Sequence, residues 1–201
     1  MRTVKIYKTW YQTMYPSELM VLVFLNFYKE KNGMSFYGNR EQVWEKMNKT
    51  VSFGTVSAGI SRAKTEGFLE VIGKRKGNKN YKVLMPAKDD FISIPDFLLF
   101  SNKFSPLQKL LYGYICTGFT PSMTKDHIFN ELNIMGHRYS KSDLKFLVEK
   151  GLVSIVDRKY YRSNPIDEKD FGKISDWHDR FRKKKFSLLK FLKTLWKRIW
   201  K

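Results

Sequence analysis

Residues 55–69, Thr-Val-Ser-Ala-Gly-Ile-Ser-Arg-Ala-Lys-Thr-Glu-Gly-Phe-Leu, carry the strongest structural pattern in the chain. Val56, Ile60 and Ala63 recur at helical spacing, which predicts a helix with one apolar face turned toward a core. Gly67 favours the left-handed conformation that commonly ends a helix. The other side of the helix carries small or polar residues, as a helix lying in a DNA major groove requires; they are Thr55, Ser57, Ala58, Ser61 and Arg62.

Two helices and a short strand are predicted around the start of this segment. Residues 18–28 form an apolar run long enough for a buried helix, and Gly33 follows it as a stop signal. Residues 35–37 are a candidate strand, and residues 40–47 are a second helix with apolar residues on one face. Capping residues precede the last two helices: Asn39 before one, and Ser52 or Thr55 before the other.

A hairpin is predicted directly after the central helix. Residues 68–72 and 81–85 read as strands, and residues 73–80, Gly-Lys-Arg-Lys-Gly-Asn-Lys-Asn, join them. Glycine, asparagine and charge predict a protruding loop. Its cations are placed to follow a phosphate backbone or to enter a minor groove, although a solvated loop that serves solubility is the alternative; they are Lys74, Arg75, Lys76 and Lys79, with Lys82 just beyond.

The order helix, strand, helix, helix, hairpin is the winged-helix order, and the second half of the chain repeats it loosely. Helices are predicted over residues 106–116, 124–132 and 140–150, and strands over residues 152–156 and 160–162. The equivalent cations are sparser and are accompanied by Asp143 and Asp157, so this unit is expected to bind DNA less strongly or to serve dimerisation; the cations are Arg138, Lys141, Lys145, Arg158 and Lys159.

Two stretches resemble the amino-terminal winged helix of plasmid and phage replication initiators, and also DnaD-type replisome organisers. They are residues 91–99, Phe-Ile-Ser-Ile-Pro-Asp-Phe-Leu-Leu, and residues 104–115, Phe-Ser-Pro-Leu-Gln-Lys-Leu-Leu-Tyr-Gly-Tyr-Ile. The resemblance covers about residues 91–156 and rests on apolar positions. It implies binding to origin or replication-fork DNA, and it transfers no catalytic residue.

Composition supports a folded protein with an anionic partner. The 201 residues are 42% hydrophobic and 16% aromatic, which is enough to build a core. Lys and Arg number 38 against 19 acidic residues, a formal net charge of +19. Because such an excess repels itself in a compact state, it usually serves a partner such as nucleic acid or an acidic membrane surface.

The sequence offers little enzyme chemistry. The three histidines are scattered, and neither an HExxH motif nor a phosphate loop occurs. Cys116, the single cysteine, lies in an apolar helix and is predicted to be a small core residue rather than a nucleophile. We therefore expect a protein that is not an enzyme and needs no cofactor or metal.

The C-terminal residues 180–201 contain no acid and have a helical pattern of apolar and basic residues. Such a basic amphipathic helix with tryptophan suits an anionic membrane interface, and the alternative is packing on the second unit or on a partner subunit. The apolar side holds Phe191, Leu192, Leu195, Trp196, Ile199 and Trp200. The basic side includes Lys190, Lys193, Lys197 and Arg198.

These patterns predict an α+β, mainly helical protein with two tandem winged-helix domains, residues 1–88 and 89–165, followed by a linker and basic tail over residues 166–201. The predicted function is sequence-specific binding of double-stranded DNA in replication initiation or organisation for a plasmid, phage or other mobile element. A transcriptional regulator is the first alternative, and a membrane-associated adaptor with protein-binding winged helices is the second.

The predicted location is the cytoplasm, with the tail as a peripheral contact to the inner face of the membrane. Homodimerisation is left open as a further partner prediction. The candidate DNA-binding residues are Ser52, Thr55, Ser57, Ser61, Arg62, Lys74, Arg75, Lys76, Lys79, Lys82, Arg138, Lys141, Lys145, Arg158 and Lys159.

Overall fold

The computed structural model describes residues 3–75, 77–117, 123–132, 134 and 141–164. They form a mixed α+β fold with small antiparallel sheets, which confirms the predicted class. In chain order the elements are β1 (Thr3–Tyr7), α1 (Lys8–Thr13), α2 (Pro16–Asn32), β2 (Phe36–Gly38), α3 (Arg40–Lys46), α4 (Phe53–Thr65), β3 (Leu69–Arg75), β4 (Asn78–Val83), β5 (Phe91–Pro95), α5 (Asp96–Leu99), α6 (Pro106–Thr117), β6 (Met123–Thr124), α7 (Lys125–Glu131), α8 (Lys141–Glu149), β7 (Val153–Val156) and β8 (Tyr160–Ser163).

Helix α2 is the central core element of the first half. It begins at Pro16, whose missing N–H costs nothing at a helix start, and it ends at Gly33 with φ +69°. Its residues from Leu19 to Phe27 are all buried. Helix α4 crosses α2 closely, because a Cβ built on Gly59 would lie 2.8 Å from the carbonyl oxygen of Glu18. A glycine at this crossing therefore lets the two backbones approach.

The first three-stranded sheet has the strand order β2-β4-β3. The predicted hairpin is present, but the predicted loop over residues 73–80 is wrong in its length. Strand β3 continues to Arg75 and β4 starts at Asn78. Gly73 adopts φ +77° where the strand register shifts, and Gly77 adopts φ +82° in the turn. Two glycines thus allow a longer ladder and a shorter turn than composition indicated.

The second half repeats the element order of the first. Its elements α6, β6, α7, α8, β7 and β8 follow one another as α2, β2, α3, α4, β3 and β4 do, and its sheet has the corresponding order β6-β8-β7. Thr124 caps α7 by accepting from the backbone N–H of His127 at 3.2 Å. Asp157 and Arg158 both adopt positive φ in the turn between β7 and β8. The helices and strands predicted here are confirmed.

A two-stranded sheet that the sequence pattern did not predict joins the two halves. Strand β1 pairs antiparallel with β5, from Thr3 opposite Pro95 to Tyr7 opposite Phe91. Val4 and Ile6 of β1 are fully buried. All the described residues belong to one compact unit, Met1–Asn164.

Two side chains of α6 differ from their expected surroundings. Cys116 is exposed, so its assignment to the core is wrong: it lies on the solvent side of a helix whose other face packs on β5 and α8. Lys109 is buried, and its ammonium donates to the carbonyl oxygen of Leu99 at 2.9 Å. Burial lowers the pKa of Lys109 to about 8.

Candidate nucleic-acid interface

Helix α4 begins with a side-chain cap. The hydroxyl of Ser52 accepts from the backbone N–H of Thr55 at 3.1 Å, so Ser52 is the cap among the two alternatives. Val56, Ile60 and Ala63 are buried, as predicted. The opposite side exposes a row of small or polar residues and one cation; they are Ala58, Ser61, Lys64 and Thr65.

Lys64 belongs to this exposed row, although it is not among the residues predicted to bind DNA. It follows Ser57 by seven residues and Ser61 by three, so the same helical spacing that selected those serines also selects Lys64. Ser57 is half-buried, and its hydroxyl accepts from the Arg40 guanidinium at 3.4 Å. The row therefore offers hydroxyl groups and one ammonium on a single helix face.

Arg62 is held by intramolecular contacts. Its Nη2 donates to the carbonyl oxygen of Thr13 at 3.1 Å, and its Nε lies 3.0 Å from Glu66 Oε1. The guanidinium also lies 5.9 Å from the ring centroid of Tyr15. These contacts fasten α4 to the end of α1, so Arg62 would have to leave them before it could reach a base.

The turn between α3 and α4 is tied to Trp44. The indole N–H of Trp44 donates to the carbonyl oxygen of Val51 at 2.8 Å. The Lys49 ammonium lies 4.6 Å from the indole centroid, and the ring of Phe53 makes an edge contact at 6.0 Å. Trp44 therefore fixes the start of α4 and places Phe53 beside α3.

The hairpin β3–β4 contains the cations that are candidates for contact with the DNA phosphate backbone. Lys79 is half-buried and lies opposite Gly38 of β2. Lys82 is exposed, and its ammonium lies 3.2 Å from Glu70 Oε2, so part of its charge is already balanced. The backbone of Lys74 and Arg75 belongs to β3, whereas their side chains and the whole of Lys76 lie outside the described residues.

A cleft of about 310 Å³ lies between α3, the start of α4 and the hairpin. Its lining combines two cations, one carboxylate and two aromatic rings; the residues are Asn39, Arg40, Glu41, Phe53, Gly77, Lys79 and Tyr81. Phe53 is 46% exposed. The hydroxyl of Tyr81 is buried and makes no hydrogen bond to any of the described residues. Burial raises the pKa of Tyr81, and the charge of Arg40 acts in the opposite direction.

Arg40 and Phe53 are not among the residues predicted from the sequence. Both occupy the first position of a helix, at Arg40 in α3 and at Phe53 in α4. The sequence did contain one signal for them, since Arg40 and Phe53 each directly follow a helix-capping residue. The pattern alone does not show that the two helix starts share one cleft with Lys79.

In the second half, the described candidate cations lie in α8 and at the β7–β8 turn. In α8, the Lys145 ammonium lies 3.7 Å from Glu149 Oε1, and Asp143 adds another acid. Arg158 and Lys159 are exposed at the β7–β8 turn. Arg138 and the side chain of Lys141 lie outside the described residues, as do all the tail residues predicted to contact a membrane or a partner.

Within the described ranges, no three His, Cys, Asp or Glu side chains are grouped as a metal site would require. The helices in the same ranges include none with the length and apolar character needed to cross a membrane. No protein-family model matches the chain, and no curated protein matches it significantly.

Proposed function

We propose that this chain binds duplex DNA through two winged-helix units, of which the first makes the main contact. The observation that carries the proposal is the position of α4. It exposes a row of small, polar and cationic residues, and Gly67 connects it directly to a hairpin rich in Lys and Arg. An α-helix with such a face fits a major groove, and cations beside it suit phosphates.

In this proposal the exposed row of α4 faces base edges. Ser61 and Lys64 of this row supply polar groups, with the half-buried Ser57 beside them, whereas Arg62 positions the helix through its contacts with Thr13 and Glu66. Lys74, Arg75, Lys76, Lys79 and Lys82 face the backbone. Phosphate contacts of this kind fix register without reading sequence.

The second unit has the auxiliary role. Its helix α8 carries an ion pair between Lys145 and Glu149, and Asp143 adds a further acid to the same helix. Weak DNA contact or pairing with a second copy of the chain is consistent with this balance.

The favoured biological role is initiation or organisation of replication for a mobile element, without enzymatic activity. Its support is the resemblance of residues 91–99 and 104–115 to replication initiators. A transcriptional regulator would use the same DNA-binding surface. Genome-wide mapping of bound DNA separates the two, because an initiator occupies an origin and a regulator occupies promoters.

Salt dependence tests the proposed interface. If the full chain contacts roughly six phosphates, its affinity for a random-sequence duplex should fall about a thousandfold between about 50 and 200 mM salt. Fluorescence anisotropy of a labelled duplex measures this slope. Affinity that stays flat across that range would contradict phosphate contact.

A matched pair of variants locates the contact. Lys74→Gln with Lys76→Gln should reduce the salt slope by about two, since each lysine is proposed to meet one phosphate. Arg158→Gln with Lys159→Gln removes the same charge from the second hairpin and should change the slope less. Equal effects would assign the contact to both halves alike.

A further inference from the structure

The cleft between α3, α4 and the hairpin contains more than a contact to a duplex backbone needs. Arg40 and Lys79 supply two cations, which would be sufficient for a phosphate. Phe53 also lines the cleft, and this residue is 46% exposed.

An exposed aromatic ring in a cationic cleft indicates a base that is not stacked. Within a duplex, neighbouring base pairs cover both faces of each base, so Phe53 could not stack on them. A base that has left the helix exposes its face, and stacking on an aromatic side chain is then favourable for any base. The cleft volume of about 310 Å³ lies at the lower end of small-ligand sites, which suits a single nucleotide.

We propose that this cleft binds one unpaired nucleotide of a DNA strand, with its base on Phe53 and its phosphate between Arg40 and Lys79. The carboxylate of Glu41, also in the lining, is available to accept from an exocyclic amino group of the base. This inference rests on the proposed DNA binding and narrows its ligand to DNA that carries an unpaired position.

The test compares three labelled probes with the full chain by fluorescence anisotropy. One is a fully paired duplex, the second carries a single unpaired nucleotide, and the third carries an abasic site at that position. The unpaired nucleotide should raise affinity at least about fivefold over the paired duplex. The abasic probe has the same phosphates without the base, so it should bind like the paired duplex.

Variants assign the preference to Phe53. Phe53→Ala should remove the preference, measured as the ratio of the affinities for the unpaired-nucleotide probe and the paired duplex, whereas Phe53→Tyr should retain it because the ring remains. Tyr37→Ala is the matched control, since Tyr37 is 57% exposed but does not line the cleft. Near-ultraviolet circular dichroism of each variant verifies the fold.

The possible failures are distinguishable. Equal affinity for all three probes would overturn the cleft assignment and leave duplex binding intact. A preference that persists in Phe53→Ala would also overturn it, because the unpaired base would then not depend on that ring. Binding to none of the probes would overturn the proposed function itself.

Discussion

Arg62 shows at single-residue scale what a helical pattern can and cannot predict. Spacing correctly excludes Arg62 from the core face made by Val56, Ile60 and Ala63. Its hydrogen bond to Thr13 depends on α1, which is forty-nine positions away and is not predicted by periodicity. Local spacing therefore identifies the face of a helix, whereas the partner of a long side chain depends on tertiary packing.

Lys109 gives a prediction of pH dependence. Its folded-state pKa of about 8 lies below the ordinary lysine value because burial disfavours the charged form. Between pH 8 and the unfolded value near 10.4, the unfolded chain binds more protons than the folded chain, so the free energy of unfolding rises with pH. We expect a rise of about 1–2 kcal/mol between about pH 8 and 9.5, measured by urea unfolding.

The variant Lys109→Met should lack this rise. It also loses the hydrogen bond to Leu99, so the slope with pH is the informative quantity rather than the absolute stability. Lys145→Met, at an exposed position of α8, should keep the wild-type slope. Burial raises the pKa of Tyr11 to about 12, so Tyr11 lowers the free energy of unfolding only above about pH 10, where the unfolded chain loses its proton first. The measurement therefore stops at about pH 9.5, where the effect of Lys109 is still separate. An unchanged slope in Lys109→Met would assign the titration to another group.

At the scale of elements, the capping residues correctly predicted where helices begin, whereas the glycines led to a predicted loop that was too long. Asn39, Ser52 and Thr124 all cap helices through their side chains. Gly73 and Gly77 indicated a long loop because glycine favours turns, yet the ladder tolerates one of them at a register shift. The pairing of β1 with β5 connects residues about ninety positions apart, and no local pattern specifies such a partner.

The crossing of α2 and α4 gives a prediction of stability. Gly59→Ala should lower the free energy of unfolding by about 1–2 kcal/mol, because its Cβ meets the backbone oxygen of Glu18 and the side chain of Val21. Overpacking costs about 1–3 kcal/mol, which exceeds the gain of up to about 1 kcal/mol from alanine in a helix. Urea unfolding monitored by circular dichroism measures the difference.

A matched glycine controls for helix propensity. Gly54 is exposed in the first turn of α4, and the nearest atom to its added Cβ is Ser52 Oγ at 3.8 Å. Gly54→Ala should therefore be neutral or stabilising. If both variants changed stability in the same direction, steric contact at the crossing would not be the cause.

At the scale of the whole molecule, repetition is visible in the order of elements rather than in residues. Alternation of helix and strand patterns predicted both halves, since each repeats the same order with its own capping residues. The halves contact each other through β1 with β5 and through Asn48 with Phe100. The local patterns could not predict these contacts. They could not predict the cleft of Arg40, Phe53 and Lys79 either, because its residues come from three separate elements.

The tail carries a separate prediction for the whole chain. Residues 180–201 contain basic residues and no acid, and their helical spacing predicts an apolar side that includes Trp196 and Trp200. A core helix does not need this charge, and a tail that binds only DNA does not need two tryptophans in an apolar stripe. Apolar insertion and attraction to anionic lipid act together at a membrane surface, where each basic residue contributes about 1 kcal/mol.

We therefore expect the full chain to float with vesicles that contain anionic lipid and to remain unbound with neutral vesicles. Removal of residues 180–201 should abolish flotation. Trp196→Ala with Trp200→Ala keeps every charge, so it should weaken flotation through lost apolar insertion alone. If the double variant floats as well as the unchanged chain, the tail binds the membrane through its charge alone. A full chain that fails to float, while a peptide of residues 180–201 binds the same vesicles, would show that the apolar side is already occupied by protein.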